Sequence, residues 1–237
     1  MYKGYKISEP FFEYGPKCYM YGETLLNIAK GLDELSVKYG MDVILDVPDT
    51  EIYNIAHNTK HIHVYAQHMD SIPVGRGMGR TLAEAVKAAG AVGVMLNHAE
   101  HKLSLDEIAR AIERADGVGL ATIVCADSVR EVREIARLAP NILVAEPTEL
   151  IGTGKAPDKA YVDEVIKVIR EINPEIKPFP SAGISCGQDC YNIIKAGAAA
   201  SGCSSAIAKA ENPLALAEEM MAAVRRAYDE RTGKSAK

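Results

Sequence analysis

No apolar run in the 237-residue chain approaches membrane length, and Met1 is not followed by the basic segment and apolar stretch that mark an exported protein. Basic residues are not in excess: 27 Lys and Arg stand against 32 Asp and Glu, a net charge of −5. That balance excludes broad attraction to nucleic acid or an anionic membrane, so an anionic ligand needs locally placed donors. The five cysteines are odd in number and lack metal-type pairing, which fits a reducing compartment better than a disulfide framework. A cytoplasmic protein is expected. A glycine-rich phosphate fingerprint near the first strand is also missing, which counts against a doubly wound open sheet.

What is present is the composition of an ordinary globular protein, 25% charged and 48% hydrophobic, with length enough for one large domain over residues 1–237. Strand-like and helix-like segments alternate without a linker. Strands are expected at 10–17, 42–47, 61–66, 91–96, 120–125, 142–146, 176–181 and 198–203. Most are short apolar runs without polar alternation, as in a parallel sheet covered on both faces. Between them lie helical stripes, such as Leu25, Ile28, Ala29, Leu32 and Leu35. Ser104 and Glu107 form a capping box before Leu105, Ile108, Ile112 and Ala115, expected to face the core. Asn212-Pro213 starts the last helix, with Leu216, Met220, Val224 and Ala227 as its core stripe. Pro178 and Pro180 remove two ladder donors from the seventh strand, and the pattern alone does not explain them. Eight strands, each followed by a helix, predict an α/β fold of the single (β/α)8 barrel type.

In such a barrel, chemistry lies at the carboxyl ends of the strands. The stretch I-L-V-A-E-P-T-E-L-I-G-T-G over 142–154 places Glu146 at one of them. Pro147 stiffens the start of the following loop and Gly152-Thr153-Gly154 loosens its end, as suits a lid over a carboxylate. Other strand ends carry Lys17, Asn97-His98, Gly183-Ile184-Ser185 and Ser204-Ser205-Ala206. Together these offer a base, an imidazole, a fixed cation and backbone donors able to hold a phosphate. Ser185, three residues before Gln188, also reads as a helix N-cap, a role compatible with anion binding at the same amides.

The segments A-Q-H-M-D (66–70), N-H-A-E-H (97–101), V-A-E-P-T-E-L-I-G-T-G (144–154) and A-G-I-S (182–185) resemble the triosephosphate isomerase family, particularly its shorter archaeal-type form. The likeness is clear from about residue 61 to 213 and thinner before it. It implies a TIM barrel that interconverts an aldose and a ketose phosphate, without metal or cofactor, as a homodimer or homotetramer. It implies Glu146 as the base, His98 as the neutral imidazole that polarises the carbonyl, and Lys17 as the charge beside the enediolate. Glu100 and Cys125 would support the site from behind. Gly152, Gly183, Ser185, Ser204 and Ser205 would cradle the phosphate, with 147–154 closing as the lid.

Three positions depart from the family pattern. Gly15-Pro16-Lys17 stands where the family has Asn-x-Lys. Met78 in G-R-G-M-G stands where a threonine is usual at the subunit contact, and Ala206 stands where the phosphate turn has glycine. These leave a four-carbon ketose phosphate as an alternative substrate. Two other classes compete: a metal-dependent barrel hydrolase or aldolase built on His61 and His63, expected to share one strand face, and a non-catalytic sugar-phosphate sensor.

Overall fold

The computed structural model describes residues 1–233. Its strands are β1 (Phe11–Tyr14), β2 (Asp42–Val47), β3 (His63–Ala66), β4 (Gly93–Leu96), β5 (Ala121–Ala126), β6 (Ile142–Ala145), β7 (Lys177–Pro180) and β8 (Ala200–Cys203). The helices are α1 (Gly22–Tyr39), α2 (Ile52–Asn58), α3 (Ala83–Ala88), α4 (Leu105–Val118), α5 (Val129–Arg137), α6 (Lys159–Ile172), α7 (Gly187–Lys195), α8 (Ser205–Ala208) and α9 (Pro213–Thr232). Every strand pairs in parallel with its sequence neighbour from β1 to β7, and β8 returns to pair with β1. The expected (β/α)8 barrel is the fold observed.

The two prolines of β7 now have a physical account. Lys177 N–H donates to Asn141 O at 3.0 Å and Ser181 N–H to Ala145 O at 2.9 Å, so the odd-numbered amides of β7 face β6. Positions 178 and 180 therefore face β8, where Pro178 contributes its carbonyl, accepting from Ala199 N–H at 2.9 Å. The missing donors fall on the seam where the barrel closes, a place that tolerates them because it is not a full ladder.

Strand alternation splits the core in two. Phe11, Ile44, Tyr65, Ile123, Ile142 and Phe179 fill the barrel interior. Phe12, Leu45, Val64, Leu143 and their neighbours face the helices, meeting stripes such as Leu25, Ile28, Ala29 and Leu32 of α1. The interior is crowded enough to dictate a glycine: a Cβ on Gly93 would overlap the Tyr65 ring from the adjoining strand. Gly93→Ala is expected to lower stability by about 1–3 kcal/mol through overpacking, seen as a drop in Tm, and Tyr65→Leu added to it should recover part of the loss.

Several local expectations are corrected. β2 has its expected bounds and β5 is shifted by one residue, while the other six strands are shorter than expected; β3 begins at His63, so His61 lies outside it and the two histidines do not share a strand face. Leu105 is exposed, because the buried face of α4 begins only at Ile108, one turn further on. Leu216 is only partly buried, while Ala217 and Met221 join Met220 and Val224 in the core. The N-cap of α7 is Cys186 rather than Ser185. Helix α2 was not legible: it is seven residues long, buries only Ile52 and Ile55, and has no capping side chain.

Candidate active site

The carboxyl ends of the strands surround a cavity of about 800 Å³. All ten residues singled out from the sequence line it: Lys17, His98, Glu100, Cys125, Glu146, Gly152, Gly183, Ser185, Ser204 and Ser205. Glu146 directly follows β6 and its N–H donates to Ala126 O at 2.8 Å, which continues the ladder by one bond and fixes the backbone beneath the carboxylate. Burial raises its pKa above the ordinary carboxylate value, an effect that Lys17 opposes.

His98 is held by a turn that starts at Asn97. That residue is buried in a left-handed conformation (φ 58°). Its amide donates to Cys125 O at 2.8 Å and to Glu131 Oε1 at 3.0 Å, while its oxygen accepts from Leu103 N–H at 2.9 Å. All its side-chain polar atoms thus tie the end of β4 to β5, to α5 and to the segment just before α4. The Glu100 N–H then donates to His98 Nδ1 at 3.1 Å. A nitrogen that accepts carries no proton, so the neutral ring holds its proton on Nε2. That atom lies 3.7 Å from Glu146 Oε2, too long for a hydrogen bond, so both groups stay free to bond a substrate placed against them.

Burial lowers the His98 pKa, and the Lys17 charge lowers it further. A histidine with a depressed pKa binds fewer protons when folded, so its contribution to stability is present above about 6.5, the unfolded value, and is lost as pH falls from there through the lower folded value. Nitrogen-15 NMR is expected to show the Nε2–H tautomer of His98 persisting below the pH at which an ordinary histidine is half protonated. A fully charged ring there would contradict the assignment.

Lys17 also has a left-handed backbone (φ 51°). Gln67 holds it: Nε2 donates to Lys17 O at 3.2 Å and to Asp46 O at 3.0 Å, clamping the β1 and β2 ends together. The Lys17 ammonium bonds Glu100 Oε1 at 2.5 Å. Cys125 is fully buried against the barrel interior, where desolvation keeps it a thiol.

Across the cavity lie the turns after β7 and β8. Gly183 has φ 63°, and a Cβ there would overlap the carbonyl of Lys155, so the far end of the 147–154 loop packs directly on this turn. Within that loop, Thr148–Leu150 form a short 3-10 turn, and Gly152 and Gly154 have positive φ. The Ser185 N–H and hydroxyl both engage Asp189 Oδ2, at 2.9 and 3.0 Å. The Ser204 hydroxyl is buried and has no hydrogen-bond partner among the described residues.

Among the cavity residues that the sequence did not point to are Glu13, Asp46, Gln67 and Lys209. Glu13 and Asp46 had a visible signal, an acid set inside the apolar runs F-F-E-Y and V-I-L-D-V. Lys209 follows the very short α8, where no periodicity marks it. His63 lies elsewhere, bonded through Nδ1 to the Tyr5 hydroxyl at 3.0 Å. Neither it nor His61 lines the cavity.

A parallel barrel whose carboxyl-end mouth joins a buried carboxylate, a neutral imidazole and a lysine beside glycine-bearing turns defines an acid–base enzyme of the (β/α)8 class. Residues 15–187 match the family profile described as triosephosphate isomerase. The chain is 38% identical to the triosephosphate isomerase of Sulfurisphaera tokodaii over 211 residues, 88% of this chain and 92% of the relative. It is also 38% identical to that of Methanobacterium bryantii over 195 residues, 81% of this chain and 86% of the relative. The crystal structure of triosephosphate isomerase from Bartonella henselae matches with a TM-score of 0.73 and 19% identity, covering 92% of this chain and 99% of that one, a likeness of fold. The chain belongs to the triosephosphate isomerase family.

Proposed function

We propose that the chain interconverts dihydroxyacetone phosphate and D-glyceraldehyde 3-phosphate by proton transfer through an enediolate. The Glu146 carboxylate takes a proton from the hydroxyl-bearing carbon, and the electron pair moves through the new C=C bond onto the carbonyl oxygen. His98 Nε2–H and the Lys17 ammonium stabilise that oxyanion. The imidazole passes a proton between the two oxygens, and Glu146 returns the carbon proton to the neighbouring carbon. Gly152, Gly183, Ser185, Ser204 and Ser205 hold the phosphate, with the 147–154 loop as lid and Glu100 and Cys125 as support. For Ser185 this requires the phosphate to take over the amide now given to Asp189.

The observation that carries the reading is the 3.7 Å approach of His98 Nε2 and Glu146 Oε2, one group kept neutral and the other with a raised pKa by burial. Environment thus divides the acid and base roles between the two side chains. A raised pKa on the base means that activity fails on the acid side at a pH above that of an ordinary carboxylate.

The expected assembly is a homodimer or homotetramer, supported by the exposed Val74 and Met78 in and beside the Gly75–Gly79 loop. The expected compartment is the cytoplasm; no helix among the described residues is long and apolar enough to cross a membrane. A coupled assay of the purified chain with dihydroxyacetone phosphate, with and without EDTA, tests the reaction. Chelator-resistant turnover is expected. Turnover of a four-carbon ketose phosphate but not of triose phosphates would overturn the substrate.

A further inference from the structure

The floor of the cavity holds two carboxyl groups that the reaction above does not use. Glu13 and Asp46 are 6% and 1% exposed and both line the cavity. By the register of β1 and β2, Asp46 sits beside Gly15, two positions beyond the partner of Glu13. A Cβ at position 15 would lie 2.9 Å from Glu13 Oε1, so the missing side chain leaves the space into which the Glu13 carboxyl rises to face Asp46. Neither Asp46 oxygen receives a hydrogen bond from an N–H or hydroxyl among the described residues. The Glu13 carboxyl can donate to it only when protonated.

From this arrangement, and resting on the isomerase reading, we infer that Glu13 and Asp46 share one proton and form a subsite for a hydroxyl group of the substrate. A pair with one proton offers both a donor and an acceptor, the complement of an alcohol, and its negative charge repels a phosphate. The pair therefore orients the substrate: hydroxyl-bearing end down toward β1 and β2, phosphate toward the turns after β7 and β8. Lys17 is the cation that partly compensates the buried acids, no N–H or hydroxyl among the described residues bonds the Asp46 oxygens, and such groups cost stability unless a ligand satisfies them.

Burial is the main cause raising both pKa values, and each carboxyl acts on the other. Around them stand Glu146 and Lys17 from the cavity, Tyr5 and Tyr65 below, Cys125 from β5, and Tyr14 and Cys203 from β1 and β8. Of these, Lys17 is the cation that favours ionisation of Glu13. As pH rises and the shared proton leaves, the donor is lost and a second negative charge appears beside an anionic substrate. Affinity should fall on the alkaline side for that reason.

The test compares wild type with Asp46→Ala, Glu13→Val and the isosteric Asp46→Asn. Calorimetric binding of dihydroxyacetone phosphate and of inorganic phosphate is read beside steady-state KM, kcat and Tm. Asp46→Ala and Glu13→Val are expected to weaken dihydroxyacetone phosphate binding and raise KM at least about tenfold, the scale of one lost hydrogen bond to a charged group. Phosphate binding should change less than twofold and Tm should not fall. Asp46→Asn should keep most affinity and lose the alkaline weakening. Unchanged dihydroxyacetone phosphate binding in both truncations would overturn the inference, as would equal weakening of both ligands. Binding separates this from the isomerase reading: a wild type that binds through the pair without turnover defeats that reading alone.

Discussion

Glu146→Gln is expected to lower kcat by about 10³-fold with little change in KM, because a general base contributes on this scale and the amide cannot accept the proton. The change is isosteric and removes a buried charge rather than adding one. Burial holds the Glu146 pKa up, so the folded chain binds its proton more tightly than the unfolded chain does. The carboxylate therefore costs stability as pH rises through the ordinary value of about 4.3, and the amide lifts that cost. Glu146→Gln should thus melt at the same temperature as wild type or higher at neutral pH. Loss of activity without loss of Tm marks a group kept for chemistry; a matching fall in both would mark a structural role. Stopped assays with the purified variant and its melting curve decide the matter.

Lys17→Met is expected to lower kcat by about 10²-fold, the scale of one lost oxyanion donor, and to raise KM as well. The second effect follows from the charge around the cavity. Glu13, Asp46, Asp49, Glu100 and Glu146 line it as acids, against Lys17 and Lys209 as the lysines among the described residues that line it. Removing one of the two leaves a phosphate ester facing an acidic mouth. Stability should barely move, since the Glu100 partner is 63% exposed and such pairs are worth about 0–1 kcal/mol. Lys17→Arg should not restore the rate, because a planar guanidinium cannot place a compact charge where the ammonium sits. Unaltered kinetics in Lys17→Met would remove the lysine from the reaction.

The division between what was legible in the sequence and what was not follows the physics of the elements. Buried parallel strands are continuous apolar runs, so β6 could be read directly. Gly152, Gly183 and the Ser204-Ser205 turn stood out because turns at strand ends need small residues. Helices α2 and α8 are too short to show a period. The supporting bonds of the site were invisible because they join distant residues: Asn97 to the backbone of Cys125, Gln67 to the backbones of Lys17 and Asp46. Glu13 and Asp46 were overlooked for the opposite reason. Each breaks an apolar run, but only the register of β1 against β2 and the empty place at Gly15 show that they meet.

Transfer of a proton between adjacent carbons by Glu146 is open to direct observation by turnover in D₂O with NMR of product and recovered substrate. Deuterium is expected at C2 of glyceraldehyde 3-phosphate and at one of the two C1 positions of recovered dihydroxyacetone phosphate, with none from Glu146→Gln in the same time. Wholly protonated product from the wild type, as a direct hydride shift would give, or equal incorporation by the variant, would contradict it.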